Sequence, residues 1–188
     1  MKDIIENEFN EHIESVKSLY ELTDVLENSA KICIDCLKKG GKIILFGNGG
    51  SASDAQHIAA ELVGRYKGNR KGIPAIAINT DTSVLTSIGN DFGYTHIFER
   101  QVEALANSND VVIGISTSGN SKNVINGLKK ASKINCTTIG FTGQDGGEMN
   151  EICDICLVAP VFDTPRIQEI HIILGHTLCH LIDNDFCQ

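Results

Sequence analysis

Five short, unbroken apolar runs, each followed by a helical or turn-rich stretch, constrain the fold more than any other feature of this sequence. They are Lys42–Phe46, Ile73–Asn79, Val111–Ile115, Thr137–Phe141 and Ile155–Val158. A strand covered by helices on both faces reads as a continuous apolar run, whereas a half-exposed strand alternates. Helix starts fall between the runs. Ser51 opens a helix to about Val63, Thr82 or Ser83 a short one, Ser121 one to about Ile134, and Pro165 one to about Ile182. Strand and helix in alternation build an open, mostly parallel sheet with right-handed crossovers and helices on both faces, which is the α/β class.

Ahead of the first run, apolar residues recur at three and four from Ile5 through Phe9, Ile13, Val16 and Leu19, then from Leu22 through Leu26, Ala30, Cys33 and Leu37. This helical lead-in, residues 1–39, precedes any crossover and is therefore free to pack in a partner subunit. Residues 42–188 carry the sheet, and no linker, repeat or low-complexity segment interrupts them, so residues 1–188 read as one domain. A formal charge of −8 without a Lys/Arg run argues against nucleic acid or an anionic membrane surface as partner. The charged N-terminus lacks the apolar core of a secretory signal, and no later run approaches a bilayer span, so a cytoplasmic protein is expected. Seven cysteines, an odd number in ordinary apolar segments, suit a reducing compartment. Cys33/Cys36 and Cys153/Cys156 have CxxC spacing, but one pair lies in a helical pattern and the other at a strand start, without the turns of a zinc knuckle; they read as small core residues.

In an open α/β sheet, ligands bind beyond the carboxyl ends of the strands. After Phe46 comes Gly47-Asn48-Gly49-Gly50-Ser51, and after Ile115 comes Ser116-Thr117-Ser118-Gly119-Asn120-Ser121, both running straight into a helix. Glycines allow backbone amides close to an anion, hydroxyls add directional donors, and a helix N-terminus favours negative charge. One such loop is also what an ordinary turn looks like. Two of them, without a Walker lysine or a spaced GxGxxG, point to a sugar phosphate rather than a nucleotide.

Two helices carry polar residues among apolar neighbours. In DAQHIAAELVGR, following the first loop, His57 and Glu61 are four apart and share a face on which they can meet one metal ion or one substrate, a spacing equally usual for a solvated helix pair. On the last helix stand Gln168, Glu169, His171, His176 and His180, some of them suited to be satisfied core groups. Gln168 and His176 are separated by about 12 Å of helix rise, so one metal does not readily take both from one straight helix, and two subunits can supply them instead.

The segments GNGGSASDAQHIAAELVGRY, SIGNDFGY, GISTSGNSKNV, TGQDGG and RIQEIHIILGHTLCHLID, in this order and over nearly the whole chain, resemble the phosphoheptose isomerases of the sugar isomerase (SIS) domain group. The resemblance implies a three-layer α/β/α sandwich on a five-stranded parallel sheet, a homotetramer with sites at subunit interfaces, and conversion of sedoheptulose 7-phosphate to D-glycero-D-manno-heptose 7-phosphate for lipopolysaccharide or capsule. It implies substrate contacts at Asn48, Gly49, Gly50, Ser51, Asn90 and Asp91, and phosphate contacts at Ser116, Thr117, Ser118 and Ser121. Glu61 matches the family's catalytic carboxylate, His176 its catalytic histidine, and Arg65 and Gln168 further site residues. It also implies one zinc ion held by His57, Glu61, Gln168 and His176. Pro165 departs from the pattern: some members carry an aspartate there, and that substrate contact is not carried over.

Ketose–aldose exchange moves a proton between C1 and C2 through an enediol, so it needs a base, an acid and charge stabilisation on oxygen. Glu61 suits the base, His176 the acid, and a metal at His57 polarisation of the carbonyl; base and ligand both remain open for Glu61. Two rival readings stand beside this one. A non-catalytic SIS regulator of the kind that binds a replication initiator shares the loops but lacks the glutamate and histidine, and an isomerase for another phosphosugar shares both.

Overall fold

In the computed structural model, which describes residues 1–187, all five apolar runs are strands of one sheet. These are β1 Ile43–Gly47, β2 Ala75–Ala77, β3 Val111–Ile115, β4 Thr137–Gly143 and β5 Ile155–Ala159. Every pairing is parallel, in the order β2-β1-β3-β4-β5. The order reverses at the β1–β3 junction, where Ile43 pairs with Val111 and Gly47 with Ile115. The two glycine-rich loops therefore leave the sheet side by side, at the switch point where α/β folds open a crevice.

Side chains alternate across the sheet, and each set meets its own helices. Ile43, Leu45, Ile113, Ile139 and Leu157 pack against α2 (Thr23–Lys38), α3 (Gly50–Val63) and α8 (Thr164–Phe186). Ile44, Phe46 and Val112 face α5 (Ile97–Leu105), α6 (Lys122–Lys133) and Met149 of α7 (Gly147–Ile152), with Leu85 and Ile88 of α4 (Thr82–Phe92) at the margin. This is the expected three-layer sandwich. Each fully buried Ile, Leu or Phe side chain contributes about 1.5–3 kcal/mol.

The lead-in divides. Its second half is α2, whose Leu26, Ala30, Cys33 and Leu37 belong to this chain's own core, which corrects the expectation that both halves pack elsewhere. The first half, α1 (Lys2–Lys17), joined to α2 by a 3-10 turn over Ser18–Leu22, buries only Ser15. It touches α8 through polar contacts: His12 Nδ1 to Glu169 at 2.7 Å, and Arg166 donating to the Glu8 carbonyl at 2.6 Å. β2 is shorter than its apolar run because Pro74, without an amide N–H, contributes only its carbonyl, which accepts from Ile43.

Candidate active site

The loop from β1 to α3 turns at Gly49, whose φ of +55° suits glycine, and Ser51 is buried behind it. Gly50 opens α3 directly beneath α8: a Cβ there would fall 2.4 Å from Gln168 Nε2. The loop after β3 turns at Gly119, with φ +65°, and its amide donates to the Ser116 carbonyl at 3.0 Å. Ser116 Oγ and Ser121 Oγ lie 2.9 Å apart, which draws the two ends of the loop together. Ser121 is the N-cap residue of α6, so that helix directs its first amides at the loop. Behind the loop, Met149 of α7 donates its amide to the Gly119 carbonyl at 3.1 Å, and the Asn120 side chain accepts from Glu148 N–H at 3.1 Å.

A side-chain bridge ties the two loops. Asn48 and Asn123 exchange hydrogen bonds of 2.9 and 2.8 Å through their amides, and Tyr94 OH donates to Asn48 at 3.0 Å. Asn90 and Asp91, on the last turn of α4, are exposed and bonded to each other at 2.7 Å. Arg65 is exposed just beyond α3.

Further along α3, His57 and Glu61 meet His176 of α8 within the same chain. Gly175 gives room for this approach: a Cβ there would fall 2.5 Å from the Ile58 side chain, so a larger residue would displace Ile58 or part α8 from α3 at this level. The next residue, His176, then places Nε2 3.2 Å from His57 Nε2, and His57 Nε2 lies 3.3 Å from Glu61 Oε1. Tyr66 stacks on the His176 ring at 5.6 Å between centroids. One turn before His57, Asp54 has a buried carboxylate oxygen without a hydrogen-bond partner; burial pushes its carboxyl up to about 6, with the nearby His57 opposing.

The ligand atoms of His57, Glu61 and His176 all lie within 4.8 Å of one another, and they form the one such metal-competent cluster among the described residues. Neighbouring ligands around a tetrahedral ion with bonds of about 2.0–2.1 Å stand about 3.3 Å apart, which the two shorter separations match. Gln168 stands apart from this trio, two turns earlier on α8 and against the head of α3.

Other polar groups of α8 find partners within the chain. His171 is fully buried and bonded through Nε2 to the Thr142 carbonyl at 2.9 Å, and burial lowers its imidazole to about 4. Glu169 pairs with Arg166 and His12, and His180 lies beside Tyr66 and Lys67. All seven cysteines are free; Cys33 and Cys36 are buried in α2, and burial pushes Cys153 up to about 12. The sequence alone gives Asn123, Tyr94 and Tyr66 no role, although all three lie inside the quoted motifs; only their contacts reveal them.

The SIS domain family matches residues 7–143. The chain is 60% identical to the phosphoheptose isomerase of Aliarcobacter butzleri over 186 residues, covering 98% of both chains. It is 53% identical to phosphoheptose isomerase 1 of Campylobacter jejuni, covering 99% of this chain and all of the relative. Among solved structures, the phosphoheptose isomerase of Neisseria gonorrhoeae superposes with a TM-score of 0.92 at 42% identity, over 97% of this chain and 98% of that one. The enzyme of Francisella tularensis gives 0.94 at 34% identity, over 97% of both.

Proposed function

From the premise that this chain belongs to the phosphoheptose isomerases of the SIS domain family, we propose that it converts sedoheptulose 7-phosphate to D-glycero-D-manno-heptose 7-phosphate through an enediol. The observation that carries the reading is the meeting of His57, Glu61 and His176 where α3 packs on α8, in a chain whose two glycine-rich loops open at the switch point of the sheet. The non-catalytic regulator, which lacks the counterparts of Glu61 and His176, finds no support in that meeting.

In this reading the loop Ser116–Ser121 and the first turn of α6 hold the phosphate, with Ser116, Thr117, Ser118 and Ser121 as donors. Asn48, Gly49, Gly50, Ser51, Asn90 and Asp91 orient the sugar hydroxyls, and Arg65 and Gln168 complete the contacts. Glu61 takes the proton from C1 while His176 donates to the C2 oxygen, giving the enediol. Return of the proton to C2 and loss of the O1 proton give the aldose. A carboxylate has two oxygens. Oε1 of Glu61 faces His57, so Oε2 remains for the proton.

His57, Glu61 and His176 suit a zinc ion by donor type and by spacing. When bound, zinc would supply positive charge to polarise the carbonyl and stabilise the enediolate. Gln168, as the fourth ligand, fits an arrangement in which a neighbouring protomer presents its own last helix, and with it the homotetramer with interface sites. Among the described residues no helix is long and apolar enough to cross a membrane. Free thiols throughout suit a cytoplasmic enzyme supplying heptose for lipopolysaccharide or capsule.

The test is incubation with sedoheptulose 7-phosphate while following aldose formation. Turnover that disappears in Glu61→Gln supports the assignment. A folded protein that binds the sugar phosphate without turning it over returns the chain to the regulators.

A further inference from the structure

We infer that Asn123 locks the side chain of Asn48 in one orientation and so presents Asn48 to the substrate as a hydrogen-bond donor only. The inference rests on the reading that Asn48 contacts the sugar phosphate.

The lock begins at the backbone. Val124 N–H lies 3.0 Å from Asn123 Oδ1. A backbone N–H can only donate, so the amide atom facing it is the oxygen, and turning Asn123 over would set two donors against each other. With that end fixed, Asn123 Nδ2 donates to Asn48 Oδ1 at 2.8 Å, and Asn48 Nδ2 donates back to Asn123 Oδ1 at 2.9 Å. The two amides form a closed reciprocal pair in which the orientation of one dictates that of the other. Tyr94 OH takes the second lone pair of Asn48 Oδ1 at 3.0 Å.

Both acceptor positions of Asn48 are then used, and one hydrogen of its Nδ2 is committed to Asn123. The second Nδ2 hydrogen is the capacity the side chain has left. Asn123 is 3% exposed, whereas Asn48 is only partly buried, at the turn between Gly47 and Gly49. The free N–H is thus what a ligand meets, and the matching group is an oxygen lone pair. Asn123 acts here as a positioning residue: it reaches the substrate through Asn48. Because Asn48 leads the first loop and Asn123 lies in the first turn of α6, the same pair keeps the hydroxyl-binding and phosphate-binding loops in register.

The test is a double-mutant cycle on kcat and KM with sedoheptulose 7-phosphate, using Asn48→Ala, Asn123→Ala and the pair, with Asn48→Asp alongside. Each alanine variant is expected to lower kcat/KM about tenfold, and the pair together no further than one alone. Asn48→Asp is expected to fall below Asn48→Ala, since it turns an acceptor towards an acceptor. Single effects that multiply to about a hundredfold, or an Asn48→Asp enzyme at least as active as Asn48→Ala, would overturn the lock. Asn123→Asp keeps the shape and the acceptor but loses the donor to Asn48, and it replaces Asn123→Ala in the cycle if the latter does not fold.

Side-chain amide NMR of the ligand-free protein reads the lock independently of substrate. One Asn48 NH2 proton should be protected from exchange in the wild type and lose that protection in the Asn123 variant; protection unchanged in that variant refutes the lock. A wild-type protein inactive on this sugar, with protection that the Asn123 variant loses, refutes the substrate reading and upholds the lock.

Discussion

His57 Nε2 and His176 Nε2 stand 3.2 Å apart across the contact of α3 with α8, although 119 residues separate them in the chain. Two imidazole nitrogens at this distance cannot both carry a proton towards each other. Either one donates to the other, or both turn lone pairs to a shared cation. Glu61 Oε1, 3.3 Å from His57 Nε2, adds negative charge on the same side and favours the cation.

Metal analysis of the purified protein is therefore expected to find about one zinc per chain. A chelator should lower turnover at least about tenfold, with zinc restoring it, and His57→Ala should lose the metal. Undiminished zinc in His57→Ala would move the site elsewhere.

Glu61→Gln preserves shape but removes the base. Turnover is expected to fall by about 10²–10⁴, and exchange of the transferred hydrogen with deuterated solvent should cease while the sugar phosphate still binds. Exchange that continues at the wild-type rate would identify another group as the base.

Gly175→Ala tests the helix contact rather than the chemistry. The added methyl would fall 2.5 Å from the fully buried Ile58 side chain, so that side chain or one of the helices must shift. The expected cost is about 1–3 kcal/mol, measured by denaturant unfolding. Zinc affinity should fall as well, because His176 is the next residue. A variant that unfolds like wild type and holds zinc as tightly would show that the contact has slack.

The layers of the fold were legible because parallel strands buried on both faces leave an uninterrupted apolar signal, and β3 matches its run at both ends. The two elements not anticipated, α5 and α7, lack that clarity. α7 has six residues entered through two glycines of positive φ, too short for a period to register. α5 follows a 3-10 turn at Tyr94–His96 and contributes only Ile97, Phe98, Gln101 and Val102 to the interior.

The site was legible as loops and as residue types, less so as geometry. Periodicity places His57 and Glu61 on one face, but no local pattern says that Gly175 admits α8 closely enough to bring His176 to them. The same limit hid Asn123, whose bond to Asn48 spans 75 residues. For His171 and Glu169 the sequence says only that some polar residues of the last helix are suited to be satisfied core groups; burial of His171 and the ion pair of Glu169 with Arg166 show how these two are satisfied.

His171 sets an acid limit on stability. Burial lowers its imidazole from the ordinary 6.5 to about 4, with the bond to Thr142 opposing. Between those pH values the unfolded chain binds the proton and the folded chain does not. Stability therefore rises with pH through this window and is lost as pH falls from about 6.5 to about 4, by up to about 3 kcal/mol. His171→Gln, with no charge to acquire, should show a flatter dependence in denaturant melts at the two ends of the window. An equal slope in both proteins would place the acid sensitivity on other groups.

α1 presents an apolar stripe that its own chain does not cover. Ile5, Phe9 and Ile13, four apart and so on one face, are 51%, 64% and 51% exposed, and Ile4 beside them 65%. Close by, Val16, Leu19 and Leu26 line an apolar cleft of about 450 Å³ against Ile173, Leu174 and Leu181 of α8. An apolar face of this extent is what a monomer in water avoids, and the arrangement proposed for the sites needs neighbouring copies. The mass in solution is accordingly expected to be four times that of the chain. Replacing Phe9 and Ile13 by glutamate sets charges where a partner's apolar surface would lie, and should release smaller species. Because Phe9 and Ile13 carry no group assigned to the chemistry, activity lost together with the tetramer would tie the sites to the interface. A wild-type protein that is active at the mass of one chain would instead show that each protomer's His57, Glu61 and His176 suffice, and that α1 is covered by something other than a second copy.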